Sequence, residues 1–276
     1  MRVAFTDFWP DFNPQNNLIT HCLRALYEDV EIVHPMNAQY LFFSVFGNEN
    51  LSYNHCQRIA YTGENVASER LLMYSDYSLS FEPDNGRNRR LPLWHWYIDW
   101  FGVSSYGNPN FLIPPKWLKS IGNPMFDRRK DKFCATVFSN PVQSRFEAMD
   151  MISSLGQVDG YGKCHRTQVS AGERAKIDLL SQYKFSICFE NSLGHGYVTE
   201  KLLHARVAGT IPIYWGANHC EVDMPYAYIR HNGDWDETLH MIASMMDMDM
   251  GHFLSKNILW EDSVEKPLNA IKYVTQ

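Results

Sequence analysis

The sequence predicts an α/β fold of two domains, each built on a parallel β-sheet. Short β-prone segments alternate with segments of helical period in both halves of the chain. A charged stretch rich in Gly, Asn and Pro separates the two halves. The length of 276 residues is enough for two domains that each bury a hydrophobic core.

Composition excludes several classes of protein. A formal net charge of -6 argues against a nucleic-acid-binding domain, because such domains present a basic face to the phosphates. The 6 cysteines are scattered without a C-x-x-C pair, which argues against a disulfide framework or a zinc site. The N-terminus lacks a signal-peptide pattern, and no apolar run reaches the length of a membrane span. We therefore expect reduced thiols and a cytoplasmic location.

The first half alternates strands with a helix. Residues 2–6, 30–34 and 40–46 read as strands, and residues 17–27 read as a helix with Ile19, Leu23 and Leu26 on one face. The nearly all-apolar run at 40–46 suits a parallel strand that is covered on both faces.

A fourth strand begins near residue 58 and ends at a turn that contains Gly63 and Glu64. In open parallel sheets ligands bind beyond the carboxyl ends of the strands, so Glu64 is placed to act as a general base. The alternative is a solvated glutamate in a surface turn, which is the more common situation.

The domain boundary is predicted from composition. Residues 102–132 are rich in Gly, Asn and Pro and end in the charged run DRRKDK. We assign residues 1–120 to an N-terminal domain, 121–132 to a linker and 133–276 to a C-terminal domain, whose last helix could pack back on the first domain.

The second half continues the alternation with a strand at 133–138, a helix at 144–155, a strand at 157–161 and a helix at 172–183. Ser144 is the expected N-cap of the helix at 144–155, and Arg145 lies in its first turn. A cation at a helix N-terminus opposes the helix dipole, so Arg145 is either solvated or has an anionic partner such as a diphosphate. Further helices are predicted at 234–249 and 263–274.

The most informative segment is 184–216, which reads as strand, loop, helix and strand. Its helix is expected to begin near Val198 and to end at Gly209. Glu200 and Lys201 lie in the first turn of this helix, where the dipole and the lysine would favour a diphosphate and the glutamate could accept bonds from ribose hydroxyls. Alternatively, Glu200 is an ordinary first-turn acid and Lys201 a solvated neighbour.

This segment resembles a known family. FENSLGHGYVTEK followed by IPIYWG is similar to the donor-binding signature of the α1,3-fucosyltransferases. YTGEN, SDYSLSFE, RRLPLWHWY, and SNP with a following arginine resemble further segments of the bacterial-type enzymes in the same order. The resemblance implies the GT-B architecture, in which two Rossmann-like domains with parallel sheets face each other across a cleft.

The resemblance also implies an activity and a set of residues. It implies inverting transfer of fucose from GDP-fucose to the 3-hydroxyl of N-acetylglucosamine or glucose in an N-acetyllactosamine-type or related oligosaccharide or glycolipid acceptor. We expect the reaction to need no cofactor or metal, and peripheral contact with a membrane is compatible with such an acceptor. Glu64 is implied as the catalytic base, and the donor site is implied to contain Arg145, Asn191, Tyr197, Glu200 and Lys201, with Glu190 and Ser192 as neighbours.

Two other functions fit part of the pattern. A glycosidase could use Glu64 and Glu200 as its pair of carboxyl groups. A catalytically silent nucleotide-sugar-binding protein would need only the second half. The aromatic residues at 94–101 are either a helix packed on the core, which we favour, or rings that line an acceptor groove.

We predict that transfer from GDP-fucose continues in EDTA. No D-x-D pair follows a predicted strand, and Asp247 and Asp249 lie in a predicted helix, where two such positions point about 200° apart. The measurement is the transfer rate with and without chelator. Loss of activity in EDTA that manganese restores would contradict the prediction.

Overall fold

The computed structural model describes residues 1–165, 172–217, 224, 228–259 and 264–276. The chain divides into two units. The first unit comprises Met1–Ile113, His195–Tyr197 and Ser263–Gln276, and the second comprises Pro114–Gly194 and Val198–Asp262. Each unit contains one sheet, and every strand pairing among the described residues is parallel.

The first unit is built on a six-stranded sheet. Its strands are β1 (Arg2–Thr6), β2 (Glu31–Ile32), β3 (Tyr40–Phe43), β4 (Gln57–Tyr61), β5 (Tyr77–Ser80) and β6 (Asn88–Arg90), in the order β2-β1-β3-β4-β5-β6. Residues 40–46 were predicted as one strand, but β3 ends at Phe43. Beyond it, the N–H groups of Ser44 and Phe46 still donate hydrogen bonds to the carbonyls of Thr6 and Asp7.

Two helices of the first unit precede the second unit in the chain. The first, α1 (Leu18–Leu26), begins where the Asn17 side chain accepts a hydrogen bond from the Thr20 backbone N–H at 2.9 Å. The second, α2 (Ser68–Leu71), is a single turn. Short 3-10 helices cover Pro35–Asn37, Glu49–Ser52 and Leu93–Tyr97.

The aromatic cluster at 94–101 lies on the core of the first unit, although its helix is 3-10 rather than α. Trp94 and Trp96 are 1% and 0% exposed. Trp96 packs against the ring of Tyr61 with their centroids 5.1 Å apart. Core packing therefore accounts for most of this cluster.

The second unit is built on a five-stranded sheet with flavodoxin-like order. Its strands are β7 (Lys132–Val137), β8 (Val158–Tyr161), β9 (Tyr183–Phe189), β10 (Ile211–Trp215) and β11 (Ile229–Arg230), in the order β11-β10-β9-β7-β8. Its helices are α3 (Gln143–Ser153), α4 (Glu173–Leu180), α5 (Glu200–Val207), α6 (Trp235–Ser244) and α7 (Met250–Leu254). A 3-10 helix covers Pro115–Leu118.

The strand order of the second unit creates a switch point between β7 and β9. From β7 the chain crosses to β8 on one side, and from β8 it returns to β9 on the other side of β7. Connections that leave in opposite directions open a crevice at the carboxyl ends of the two strands, where ligands bind in folds of this type.

The last helix, α8 (Glu265–Val274), belongs to the first unit and packs against α1. The hydroxyl groups of Tyr27 and Thr275 are 2.9 Å apart, and Gln57 donates a hydrogen bond to the Val274 carbonyl at 2.9 Å. These contacts fix the end of the chain on the sheet that carries Glu64.

Three predicted helix boundaries are wrong. The N-cap of α3 is Val142, two residues earlier than Ser144, because the backbone is extended at Val142 and becomes helical at Gln143. Helix α5 begins at Glu200 rather than near Val198, because the backbone of Thr199 is extended. The helix predicted at 234–249 ends at Ser244.

The Asp247 and Asp249 pair consequently lies outside a helix. Asp249 is the N-cap of α7 and accepts a hydrogen bond from the Gly251 N–H at 2.9 Å, which explains the break between α6 and α7. The helical geometry that we used to argue against chelation by this pair is therefore wrong. Within the described residues, no group of three or more His, Cys, Asp or Glu side chains could hold a metal ion.

Five cysteines are free thiols, and Cys220 lies outside the described residues. No helix in the described part of the chain combines the length and the apolar character that crossing a membrane requires.

Candidate functional site

Arg145 occupies the switch point of the second unit. Its side chain leaves the first turn of α3 and is only 2% exposed. Nε and Nη2 donate to the Phe189 carbonyl at 3.1 and 2.8 Å, and Nη2 also donates to Oδ1 of Asn191 at 2.6 Å. In a fourth hydrogen bond, Nη1 donates to the Asn140 carbonyl at 3.2 Å. Arg145 therefore ties the segment after β7 to the segment after β9 and brings a positive charge to the crevice.

Glu190 organises the segment that follows β9. Its side chain is 0% exposed and accepts hydrogen bonds from the Thr199 backbone N–H at 2.8 Å and from the Thr199 hydroxyl at 2.7 Å. The Lys201 ammonium donates to the same carboxylate at 3.0 Å and to the Thr199 hydroxyl at 2.8 Å. The loop between β9 and α5 is thus closed at its base by a buried ion pair.

The two predicted donor-site charges have different surroundings. Glu200 lies 3.5 Å from the ammonium of Lys176, a residue of α4, and both side chains keep some exposure. Burial raises the pKa of Glu200, but the positive charges of Lys201 and Lys176 outweigh it and hold this pKa well below its ordinary value.

Lys201 shows the opposite balance. Burial lowers its pKa, but the carboxylates of Glu190 and Glu200 outweigh burial and the repulsion from Arg145, so the pKa is raised above its ordinary value. Both Glu200 and Lys201 are therefore charged at neutral pH. An ammonium and a carboxylate at the start of one helix can bind a phosphate and a pair of hydroxyl groups.

Sequence analysis did not identify Lys176. It lies in the helix ERAKIDLL, which carries no motif, and its role arises because α4 packs beside α5 in the second unit. No signal in the sequence pairs it with Glu200, 24 residues later in the chain.

The remaining motif residues occupy distinct positions. Asn191 accepts its bond from Arg145, and Ser192 is exposed. Tyr197 is 2% exposed and packs edge-on against Phe81, with centroids 5.1 Å apart, inside the first unit. Its ring is therefore a packing element in this conformation.

Gly196 is required by the geometry of the same loop. Its φ is +77°, and a Cβ atom there would come within 2.5 Å of the Phe81 carbonyl oxygen. The Gly196 carbonyl accepts a hydrogen bond from Arg90 Nη1 at 3.1 Å. Position 196 therefore requires glycine for two reasons, its positive φ and the lack of space for a side chain beside the ends of β5 and β6.

Glu64 lies at the carboxyl end of β4, as the sequence predicted, and faces a pocket of about 160 Å³ within the first unit. The pocket is mainly aromatic and apolar. Its lining residues are Trp9, Phe46, Gly63, Glu64, Leu93, Trp96, Tyr97, Asn108 and Pro109. Of these, Trp9, Phe46, Asn108 and Pro109 were missed, because they come from separate loops that only the sheet brings to one edge.

Both units therefore carry their chemical groups at the carboxyl edge of a parallel sheet, one with a carboxylate beside aromatic rings and the other with a cationic crevice. Two parallel-sheet units with this arrangement of groups define the chain as a member of the class of two-unit α/β glycosyltransferases. The fucosyltransferase FucT N-terminal domain model matches residues 3–97, and the C-terminal model of glycosyltransferase family 10 matches residues 127–263. The chain belongs to this family, the fucosyltransferases.

Individual relatives of the chain are also fucosyltransferases or fucosyltransferase-like proteins. An α-(1,3)-fucosyltransferase FucT of Helicobacter pylori is 28% identical over 304 aligned residues, which cover 98% of this chain and 61% of the relative. A fucosyltransferase-like protein of Arabidopsis thaliana is 37% identical over 132 residues, covering 47% of this chain and 24% of the relative. The chain thus spans less than two thirds of the length of these curated relatives.

Solved structures confirm the fold. A crystal structure of an α1,3-fucosyltransferase matches 99% of this chain and 89% of its own with a TM-score of 0.75 at 26% identity. A structure of α1,3-fucosyltransferase with GDP-fucose matches 100% of this chain and 90% of its own with a TM-score of 0.72 at 24% identity.

We expect Glu190→Gln to lower the free energy of unfolding by about 3 kcal/mol, because it leaves the Lys201 ammonium without its buried partner. Urea unfolding measures this. The control is Asp131→Asn, which removes an ion pair whose side chains are 88% and 61% exposed and should cost less than about 0.5 kcal/mol. Equal losses for the two variants would contradict the prediction.

A second prediction concerns His204, which is 1% exposed in α5. Burial and then the charge of Lys176 lower its pKa well below the ordinary value of 6.5, so the folded protein keeps it neutral. Below that pH the unfolded chain binds a proton that the folded protein does not. The neutral His204 therefore does not reduce the free energy of unfolding above pH 6.5, and this free energy decreases as the pH falls below 6.5.

His204→Gln should remove up to about 1.4 kcal/mol per pH unit from the decline in unfolding free energy between pH 6 and pH 5. Urea unfolding across this range gives the slope. The matched control is His240→Gln, at an exposed position of α6, which should leave the slope as in the unmodified protein. An unchanged slope in His204→Gln would show that His204 is not a source of the pH dependence.

Proposed function

We propose that this protein transfers L-fucose from GDP-β-L-fucose to a hydroxyl group of a glycan acceptor. The observation that supports this most is the charged cluster of Glu190, Thr199 and Lys201 at the start of α5, in the segment matched by the family 10 model. The activity of the Helicobacter pylori relative and the solved structure with GDP-fucose point to the same donor.

At the donor end, the diphosphate binds beside Arg145 and Lys201. Lys201 is held charged by Glu190 and Glu200, and Arg145 is fixed by carbonyl groups, so neither cation needs to reorganise when negative charge develops on the leaving group. Preorganised donors of this kind typically contribute about 3 kcal/mol to lowering a barrier. Glu200 accepts hydrogen bonds from the ribose hydroxyls, with Asn191, Tyr197, Glu190 and Ser192 nearby in the signature.

At the acceptor end, Glu64 is the general base of a single, inverting displacement. The acceptor oxygen forms a bond to the anomeric carbon of fucose while the bond from that carbon to the diphosphate oxygen breaks. The bonding electrons leave with GDP, and the acceptor proton passes to the Glu64 carboxylate. No metal or cofactor takes part in this scheme.

The pocket beside Glu64 supports a sugar acceptor. Aromatic faces such as those of Trp9 and Tyr97, which are partly exposed, complement the apolar C–H face of a pyranose, and about 160 Å³ is the scale of a single ring. We propose the 3-hydroxyl of N-acetylglucosamine or glucose, in an N-acetyllactosamine-type or related oligosaccharide or glycolipid, as the nucleophile. Peripheral contact with a membrane belongs to this proposal where the acceptor is a glycolipid.

The two rival functions differ from this proposal in measurable ways. A glycosidase does not need Lys201, which Glu190 and Glu200 keep charged. If the protein were a glycosidase, GDP would not stabilise it. A silent binding protein would bind GDP but would not depend on Glu64.

We predict that Glu64→Gln reduces fucose transfer by at least about 100-fold, because an amide cannot accept the acceptor proton. The same variant should keep the thermal stabilisation that GDP gives the unmodified protein. Transfer is measured with GDP-fucose and a panel of acceptors, followed by linkage analysis of the product. The matched control is Glu69→Gln, an exposed glutamate of α2, which should leave the rate unchanged.

Two results would contradict the proposal. Absence of GDP stabilisation in the unmodified protein would favour the hydrolase. A Glu64→Gln variant that transfers fucose at the unmodified rate would remove Glu64 from the mechanism.

A further inference from the structure

The backbone of Glu64 is bound on both sides by a single hydroxyl group. Thr62, two residues earlier, is 0% exposed. Its Oγ1 accepts a hydrogen bond from the Glu64 backbone N–H at 3.0 Å and donates one to the Glu64 carbonyl oxygen, also at 3.0 Å. Both main-chain polar groups of Glu64 are thus tied to the Thr62 side chain.

Thr62 is itself anchored to the sheet. Its backbone N–H donates to the Leu79 carbonyl at 3.1 Å, which extends the pairing of β4 with β5 by one residue. The Thr62 hydroxyl therefore connects the exposed Glu64 to the buried, hydrogen-bonded end of β4.

The rest of the turn restricts Glu64 further. The Val66 N–H donates to the Glu64 carbonyl at 2.7 Å. Gly63 lies so close to Leu93 that a Cβ atom would meet Leu93 Cδ1 at 2.8 Å, which leaves little space for the turn to move toward that side of the pocket. The Thr62 hydroxyl is the part of this arrangement that a conservative substitution can remove alone.

A loss of this hydroxyl would affect position more than stability. When this hydroxyl is removed, the Glu64 carbonyl keeps the hydrogen bond from the Val66 N–H, so the turn retains a backbone hydrogen bond. A general base, in contrast, must lie within hydrogen-bond distance of the proton that it accepts, and a displacement of about 1 Å can cost about 100-fold in rate.

We propose that Thr62 is a positioning residue for the reaction and that its hydroxyl holds the Glu64 carboxylate in the orientation that accepts the acceptor proton. This inference rests on the proposed function of Glu64. Thr62 is fully buried and does not line the pocket beside Glu64, so it acts only through the Glu64 backbone.

The test is a matched pair of variants. Thr62→Val keeps the shape of threonine but lacks the hydroxyl, and Thr62→Ser keeps the hydroxyl but lacks the methyl group. We expect kcat for fucose transfer to fall about 10- to 100-fold in Thr62→Val. The KM for GDP-fucose and the thermal stabilisation by GDP should stay within about twofold of the unmodified protein, and Thr62→Ser should restore most of kcat. Thr62→Ala serves as a second hydroxyl-free variant if Thr62→Val does not fold.

A double-mutant cycle with Glu64→Gln separates positioning from general damage. Once the carboxylate is gone, adding Thr62→Val should not lower the residual rate further. The inference is overturned if Thr62→Val keeps unmodified kcat, if Thr62→Ser loses as much as Thr62→Val, or if the double variant shows the product of the two single losses.

The same experiment distinguishes this inference from the proposed function. A fully active Glu64→Gln variant would show that Glu64 is not the base. An inactive Glu64→Gln variant beside a fully active Thr62→Val would overturn only the role of Thr62.

Discussion

The site of the second unit depends on the ion pair between the buried carboxylate of Glu190 and the ammonium of Lys201. A 0% exposed acid is costly unless its oxygens are satisfied, and here they are satisfied by Thr199 and by the ammonium of Lys201. Meeting that requirement brings the residues on either side of the signature loop together. It also fixes the start of α5 at Glu200 and leaves Lys201 charged at the same end of the helix.

The charges around this carboxylate support one another. The carboxylates of Glu190 and Glu200 both raise the pKa of Lys201. Lys176 and Lys201 together lower the pKa of Glu200 and keep it ionised in spite of its burial. In such a cluster each group determines the protonation of the next, so a residue that contacts no ligand can still control binding. The first unit achieves order differently. Its exposed Glu64 is held through backbone hydrogen bonds to a buried threonine rather than through charge.

Several features could be predicted because they depend on local pattern and on how parallel sheets are built. The two parallel sheets, the position of Glu64 at the end of β4, and the placement of Glu200 and Lys201 in the first turn of α5 all follow from strand and helix periodicity. Helix ends were harder. Ser144 and Val198 looked like helix starts, but α3 begins earlier, after its N-cap Val142, and α5 begins later, because the Glu190 carboxylate binds the Thr199 N–H where the backbone is extended.

The sequence by itself determined the α/β class, the family signature and the charged residues of the motif, because these are properties of neighbouring positions in the chain. Only the tertiary structure decided that Glu190 is the buried partner of Lys201, that Lys176 faces Glu200 and that Trp9 and Asn108 share a pocket with Glu64. These pairs are separated by 11, 24 and several tens of residues, respectively. The packing of helices and loops on a sheet brings them together, and burial then decides which charges must be paired.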